Sequence, residues 1–473
     1  MQDNSRRQSL QRRIVPDWYH DAKLGIFVHW GLFSVPGWAP LTGELDKVIQ
    51  EYGWETWFAN NPYAEWYANS LRIPGSPTQQ YHRDAYGGNF AYDDFVPLFN
   101  TEAKNWNPAE WAALFKQAGA RYVVPVTKHH DGFLLWPSER TSPGKPNFRT
   151  DRDIVGEIAA AVRDQNLRFG LYYSGGLDWT FNDTPICDLP TLFGGVPQSP
   201  EYVAYADAHW RELIDRYQPS VLWNDIGYPL GTDVNDLFAY YYDKLPDGVV
   251  NDRFRQAPPD GEPPAEGGVA EVLEPPASQH YDFRTPEYAS YNHIMPYKWE
   301  STRGLGFSFG YNRNEGVEHH MPIDRLIQTF VDIVSKNGNL LLNVGPMADG
   351  TIPELQRERL EGLGAWLAVN GEAIFDTRPW TAAEGRTSDG TELRYTQKGD
   401  TLYAILLDTP GGSEVIIEGL HVTPGTAVQL LGWDGMLTWR HEGDNLALEW
   451  PAGVQQSPAH ALALTPRPSS VTT

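Results

Sequence analysis

With a single cysteine, Cys187, this chain can form no internal disulfide and can build no thiolate zinc site. It has no run of about 18 apolar residues, which excludes a transmembrane helix. The polar stretch Met1–Arg13 carries Arg6, Arg7, Arg12 and Arg13 and lacks the apolar core and cleavage pattern of a secretory signal, so a cytoplasmic protein is expected. Positive charge is scarce as well. With 37 Lys and Arg against 61 Asp and Glu, the formal net charge of −24 argues against nucleic acid and anionic membrane surfaces as partners. No glycine-rich turn of the dinucleotide or P-loop kind follows any apolar run, which disfavours a doubly wound nucleotide-binding sheet.

What the chain has in abundance is aromatic: 18 Trp, 24 Tyr and 19 Phe. Set beside Asp, Glu and His, such rings suit a sugar site, where apolar faces meet C–H surfaces and charged groups meet hydroxyls.

Short apolar runs recur, and most close on polar residues. Lys23–Val28 ends at His29, Arg121–Lys128 at His129-His130-Asp131-Gly132, Val221–Trp223 at Asn224-Asp225, and Gly248–Asn251 at Asp252-Arg253. Further strands are expected at Arg168–Ser174, near Gly306–Gly310, and at Gly338–Val344. Helical patterns stand between them. One opens at Asn107-Pro108 and runs to Ala118, and others cover Asp153–Asp164, Pro200–Tyr217, Asp233–Lys244, Asp324–Ser335 and Pro353–Asn370. Strand and helix alternating about eight times predicts an α/β fold, a (β/α)8 barrel over residues 1–375. Between Gln256 and Gln279 a segment rich in Pro, Glu, Gly and Ala predicts a long irregular loop. From Asp376 the pattern changes to short strands with a turn every 8–12 residues or so, which predicts a β-sandwich over 376–466. Residues 467–473 are expected to be a disordered tail.

In a barrel the strand ends open on one face. His29, His129, His130, Tyr172, Asp225, Arg253 and Phe309 would then converge. Asp225 alone suits a structural cap; several polar ends at one mouth call for a ligand. Three chemistries fit. A metal-dependent hydrolase could use His29, His129, His130 and Asp225, although His29 is not part of an H-x-H pair and adjacent His129 and His130 would point to opposite sides of a regular strand. A barrel that binds without catalysing is the second. A glycosidase is the third, and it needs two carboxylates across one bond: Asp225 with Glu65, Glu287 or Glu300.

An ordered set of motifs separates these. It comprises Trp18-Tyr19, Ala22-Lys23-Leu24-Gly25-Ile26-Phe27-Val28-His29-Trp30-Gly31, Glu65-Trp66-Tyr67, Lys128-His129-His130-Asp131-Gly132-Phe133, Tyr172-Tyr173-Ser174 and Leu222-Trp223-Asn224-Asp225. It continues through Asn251-Asp252-Arg253, Thr285-Pro286-Glu287-Tyr288, Trp299-Glu300, Gly310-Tyr311-Asn312, Leu340–Pro346 and Gly371-Glu372-Ala373-Ile374. In this order the motifs resemble the α-L-fucosidases of glycoside hydrolase family 29.

The resemblance implies a retaining, exo-acting enzyme that removes terminal α-L-fucosyl residues from oligosaccharides or glycoconjugates without metal or other cofactor. It makes Asp225 the nucleophile of a covalent fucosyl-enzyme and Glu287 the acid/base, and leaves Glu300 as a buried structural carboxylate. It places His29, Glu65, Trp66, His129, His130, Tyr172 and Arg253 around the fucose hydroxyls. Trp223 and Phe309 would face the apolar side of the sugar and its C6 methyl, where an extra hydroxyl, as in galactose, would be buried unsatisfied. The 256–279 segment is longer than the resemblance leads one to expect. It would sit at the rim of the leaving-group site, in a subunit contact, or in solvent as a plain surface loop, and homo-oligomers are in keeping with this architecture.

Overall fold

The structure, a computed structural model, describes residues 10, 12–256, 279–468 and 470. Its centre is a parallel sheet of seven strands: β1 (Leu24–Val28), β2 (Tyr122–Lys128), β3 (Arg168–Ser174), β4 (Val221–Asp225), β5 (Val249–Val250), β6 (Trp299–Gly304) and β7 (Gly338–Val344). They lie in the order β5-β4-β3-β2-β1-β7-β6. Residues 282–287 fill the interval between β5 and β6. Asp282 N donates to Val250 O at 2.9 Å; on the other side Glu300 N donates to Arg284 O at 2.8 Å and Tyr288 N to Thr302 O at 3.0 Å. Parallel bridges Asn251–Phe283, Arg284–Trp299 and Glu287–Thr302 complete the ring. The eighth barrel position is therefore taken by an irregular strand.

Strands β1, β2, β4 and β7 are buried along their whole length, as expected of a parallel sheet covered on both faces. Helices begin where the sequence places caps. Asn107 accepts from Ala109 N, Asp153 from Gly156 N, Ser199 from Tyr202 N, and Asp233 from Asn235 N and Asp236 N.

Three features depart from the sequence reading. The segment before Tyr63 contains a helix, Leu45–Ala59, in which Gly53 has φ 80° and breaks the periodicity. The strand expected at 306–310 is instead Trp299–Gly304, and 306–310 form a loop beyond its end. That strand looks polar because Glu300 and Thr302 face the barrel interior. Finally, no helix joins the 282–287 segment to β6; residues 288–298 connect them as irregular chain. The long loop expected at 256–279 falls almost wholly outside the described residues, although Gln256 Nε2 is fixed to Pro229 O (2.7 Å) and Thr232 O (2.8 Å).

The C-terminal part is two antiparallel sheets. One comprises β8 (Arg378–Arg386), β9 (Glu392–Lys398), β10 (Thr401–Leu406), β12 (Ala427–Leu430) and β15 (His460–Thr465); the other comprises β11 (Glu414–Ile417), β13 (Trp439–Glu442) and β14 (Asn445–Glu449). The two faces of β10 do different things. Leu402, Ala404 and Leu406 pack between the sheets, while Tyr403 and Ile405 join the barrel core. Trp366 Nε1 donates to Ala459 O at 2.9 Å, and Arg394 pairs with Asp332 at 2.5 Å, so the sandwich is bonded to the barrel helices. Arg467, the first residue of the expected tail, donates to Gly399 O at 3.0 Å. Among the described residues no helix is long and apolar enough to cross a membrane.

Candidate active site

At the C-terminal mouth of the barrel lies a cavity of about 120 Å³, lined by every residue that the sequence reading assigned to a site. His29 follows β1, His129 and His130 follow β2, Tyr172 is in β3, and Trp223 and Asp225 end β4. Arg253 lies just past β5, Glu287 ends the 282–287 segment, Glu65 and Trp66 occupy the turn Ala64–Trp66, and Phe309 is in the loop after β6. The expectation that His129 and His130 diverge is overturned. The strand register slips between Val126 and Lys128, Gly132 turns the chain with φ 79°, and the two rings meet at 4.0 Å inside one cavity.

Asp225 is the electrostatic focus. Its Oδ1 accepts from Arg253 Nη1 (2.9 Å) and Ile226 N (3.0 Å), and its Oδ2 accepts from the Tyr172 hydroxyl (2.7 Å). Burial alone would raise its pKa. The Arg253 charge and the hydrogen bonds from Tyr172 and Arg253 outweigh burial and hold the carboxyl below its usual range. Arg253 also reaches Glu287: its Nη2 lies 3.5 Å from Glu287 Oε2, while Nε donates to Thr285 Oγ1 and Nη2 to Thr285 O, both at 2.9 Å. Glu287 accepts from the Tyr63 hydroxyl at 3.0 Å. Burial raises its pKa, the Asp225 charge adds to this, and Arg253 opposes it without cancelling it. Its side chain keeps 23% exposure against 11% for Asp225, so it sits nearer the opening. One guanidinium thus joins two carboxylates whose acidities are pushed apart.

Burial keeps the three histidines neutral, and hydrogen bonds fix the tautomers of His29 and His130. Asn343 Nδ2 donates to Phe309 O at 2.7 Å, so its Oδ1 must accept from His29 Nδ1 (2.7 Å), and His29 Nε2 is left as an acceptor. Ser174 donates to Leu177 O (2.8 Å) and therefore accepts from His130 Nδ1 (2.6 Å). His130 Nε2 lies 3.9 Å from Asp225 Oδ2. Burial drives the pKa of His29 down to about 4 and that of His130 to about 3, so the His130–Asp225 contact is not an ion pair. Glu65 Oε2 accepts from Gly310 N at 2.7 Å, and burial raises its pKa to about 7.

The walls are aromatic. Tyr172 stacks on Trp223 at 5.6 Å and on His129 at 5.6 Å, Phe309 meets His29 at 5.2 Å and Tyr63 at 5.5 Å, and Trp66 stands edge-on to His130 at 5.1 Å. Several lining residues escaped the sequence reading. Trp54, Trp57 and Phe58 come from the helix hidden by Gly53, Leu189, Leu192 and Phe193 from the connection after β3, and Tyr63 from the turn before Glu65. The Asn61-Pro62 pair carried a turn signal: Asn61 Oδ1 accepts from Tyr63 N at 2.8 Å and sets the tyrosine that bonds Glu287. Glu300 lies outside the cavity, enclosed beneath Trp223, where it accepts from Tyr19 (2.7 Å), Trp223 Nε1 (3.0 Å) and Tyr122.

The donor set is built around a cation already in place, Arg253. Among the described residues no three His, Cys, Asp or Glu side chains are grouped to hold a metal ion. Two carboxylates of opposed acidity, neutral imidazoles and aromatic walls are equipment for cleaving a glycosidic bond.

A family model described as alpha-L-fucosidase matches residues 2–372, and one described as alpha-L-fucosidase C-terminal domain matches residues 388–465. Plasma alpha-L-fucosidase of Homo sapiens is 33% identical over 474 residues, covering 97% of this chain and 91% of that protein. Thermotoga maritima alpha-fucosidase in complex with a mechanism based inhibitor is 46% identical, with 97% of this chain and 98% of that chain covered and a TM-score of 0.84. The Thermotoga maritima alpha-L-fucosynthase in complex with alpha-L-Fuc-(1-2)-beta-L-Fuc-N3 has the same identity and coverage and a TM-score of 0.86. Barrel and sandwich together, this chain belongs to the α-L-fucosidases of glycoside hydrolase family 29.

Proposed function

We propose that this α-L-fucosidase is exo-acting and retains anomeric configuration, with Asp225 as nucleophile and Glu287 as acid/base. The observation that carries this is Arg253, which touches both carboxylates while one is held ionised and the other is pushed toward its protonated form. Sharing one guanidinium supports the roughly 5–5.5 Å separation of a retaining pair over the wider spacing that leaves room for an inverting water. Asp225 attacks the anomeric carbon as Glu287 protonates the departing oxygen. Glu287, now ionised, then draws a proton from the water that cleaves the fucosyl-enzyme.

The small cavity suits one terminal sugar. The acceptor nitrogens of His29 and His130, with Glu65, face its hydroxyls, and Phe309 and Trp223 face its apolar side. The Thermotoga relative bound to a mechanism based inhibitor supports a covalent route. Proton NMR of early turnover tests this reading. α-L-Fucose should appear first and then mutarotate; β-L-fucose as first product would overturn it.

The shared cation gives a second expectation. Arg253→Met should lower kcat/KM by about a hundredfold or more, the usual loss for removing one preorganised donor at a reacting group. Both carboxyls lose the charge that favours their ionised forms, so both pKa values rise. The active state needs Asp225 ionised and Glu287 protonated, so the acid and the alkaline limbs should both move to higher pH. A pH profile reduced in height but unmoved would show that Arg253 serves only to bind the sugar.

A further inference from the structure

Where the barrel has no helix between the 282–287 segment and β6, a cleft of about 1400 Å³ opens between the barrel flank and the turn joining β8 to β9. Tyr288 forms part of its wall and also meets Phe309 of the fucose cavity at 5.7 Å, so the two spaces are neighbours. Arg303, on the outward side of β6, lines this cleft. The residue is largely buried, its Nε is sealed from solvent without a hydrogen-bond partner, and no carboxylate pairs with it among the described residues. A guanidinium is the side chain best suited to planar oxyanions and is costly to bury unpaired.

Arg325 lines the same cleft, exposed and also unpaired among the described residues, and its charge bears on Arg303. The other cations there are engaged. Lys47 holds Glu44 at 2.8 Å, Lys336 holds Asp332 at 2.8 Å and Glu384 at 2.7 Å, and Arg394 holds Asp332 at 2.5 Å and Glu392 at 3.0 Å. Glu44, the acid whose charge bears on Arg303, is therefore already committed. Glu318, Asp389 and Asp408 line the cleft as well, so it is not basic as a whole. Within it Arg303, whose guanidinium lies 5.5 Å from the Tyr288 ring centroid, and Arg325 are the two cations that hold no carboxylate among the described residues, and a bound anion would supply the missing partner.

We propose that this cleft is a binding site for an oxyanion, a carboxylate or sulfate, held by Arg303 and Arg325. The anion is either a free ion or an acidic sugar on the glycan whose fucose enters the neighbouring cavity. Only the second source rests on the fucosidase reading of that cavity.

Thermal unfolding of wild type and Arg303→Met in increasing sodium sulfate tests the site. Without sulfate the variant should melt higher than wild type, because an unpaired buried charge has been removed; with sulfate wild type should gain more and overtake it. Sulfate stabilises most proteins by exclusion from their surface, and the variant carries that same contribution. Equal gains in both proteins would therefore overturn the proposal. If Arg303→Met does not fold, Arg325→Gln at its exposed position carries the same comparison.

The source is read from kcat/KM on a fucosylated trisaccharide bearing a carboxylate sugar and on its counterpart with that carboxylate reduced to an alcohol. A preference of about fivefold or more in wild type, lost in Arg303→Met, assigns an acidic sugar, since a charge-assisted pair is worth that much or more. A sulfate response with no such preference assigns a free ion. Release of fucose from neither trisaccharide would count against the reading of the cavity and leave the melting result standing. A wild-type dimer that sulfate dissociates and Arg303→Met does not form would put a second copy's acidic side chain there instead, and the small-anion proposal would fall.

Discussion

Replacing Asp225 with glycine is expected to reduce kcat by on the order of 10⁴- to 10⁶-fold, the range seen when a central catalytic group is removed. Azide should restore turnover, with β-L-fucosyl azide as the product. The expectation follows from what the substitution leaves in place. Arg253 keeps Thr285 through two hydrogen bonds and stays beside Glu287, so the guanidinium is not released from its position. It becomes an unsatisfied cation next to the space vacated by the carboxylate, and a small anion is drawn there. Glu287 can still protonate the leaving oxygen. Azide then displaces it in a single step from the opposite face, converting an α-linkage to a β-product. With Asp225 gone, the charge that helped to raise the pKa of Glu287 disappears as well. The alkaline limb of the rescued reaction should therefore lie at lower pH than that of the wild-type enzyme. An α-azide product, or rescue with no azide incorporated, would mean that Asp225 is not the nucleophile.

Much of this site was legible because barrel strands write their functional residues at their C-terminal ends. An apolar run closing on Asn224-Asp225 places a carboxylate at the mouth whatever the helices do, and His29 and the His129-His130 pair follow the same logic. The ordered motifs then supplied roles that the residues alone left open among three chemistries. The misses have physical causes. The helix Leu45–Ala59 was obscured because Gly53 restarts its periodicity, and with it went Trp54, Trp57 and Phe58 of the cavity wall. β6 was displaced because its inward side chains, Glu300 and Thr302, are polar, and an inward carboxylate satisfied by Tyr19, Tyr122 and Trp223 leaves no apolar signature. The tautomers of His29 and His130 depend on Asn343 and Ser174, 314 and 44 residues away along the chain. No local pattern encodes that dependence. Nor does one encode the single guanidinium that joins Asp225 to Glu287.

That junction makes Glu287→Ala the discriminating experiment for the second carboxylate. On fucosides with poorly departing alcohols, the loss in kcat/KM should reach about 10²- to 10⁴-fold, the usual contribution of a general acid. On aryl fucosides with acidic phenols it should be much smaller, because those leaving groups depart without a proton. Loss of the base also slows water attack on the fucosyl-enzyme, so kcat on good aryl substrates should fall while KM falls with it, as the intermediate accumulates. Azide needs no base and should speed this second step by attacking the β-linked intermediate, giving α-L-fucosyl azide. The two variants should therefore yield opposite anomers from the same nucleophile. Glu65 is the carboxyl that could take the role instead, since burial brings its pKa to about 7. Its Oε2 is spent on Gly310 N, and nothing ties it to Asp225 as Arg253 ties Glu287. Glu65→Gln should weaken binding across all leaving groups alike. Equal losses on every leaving group for Glu287→Ala, with graded losses for Glu65→Gln, would exchange the two assignments.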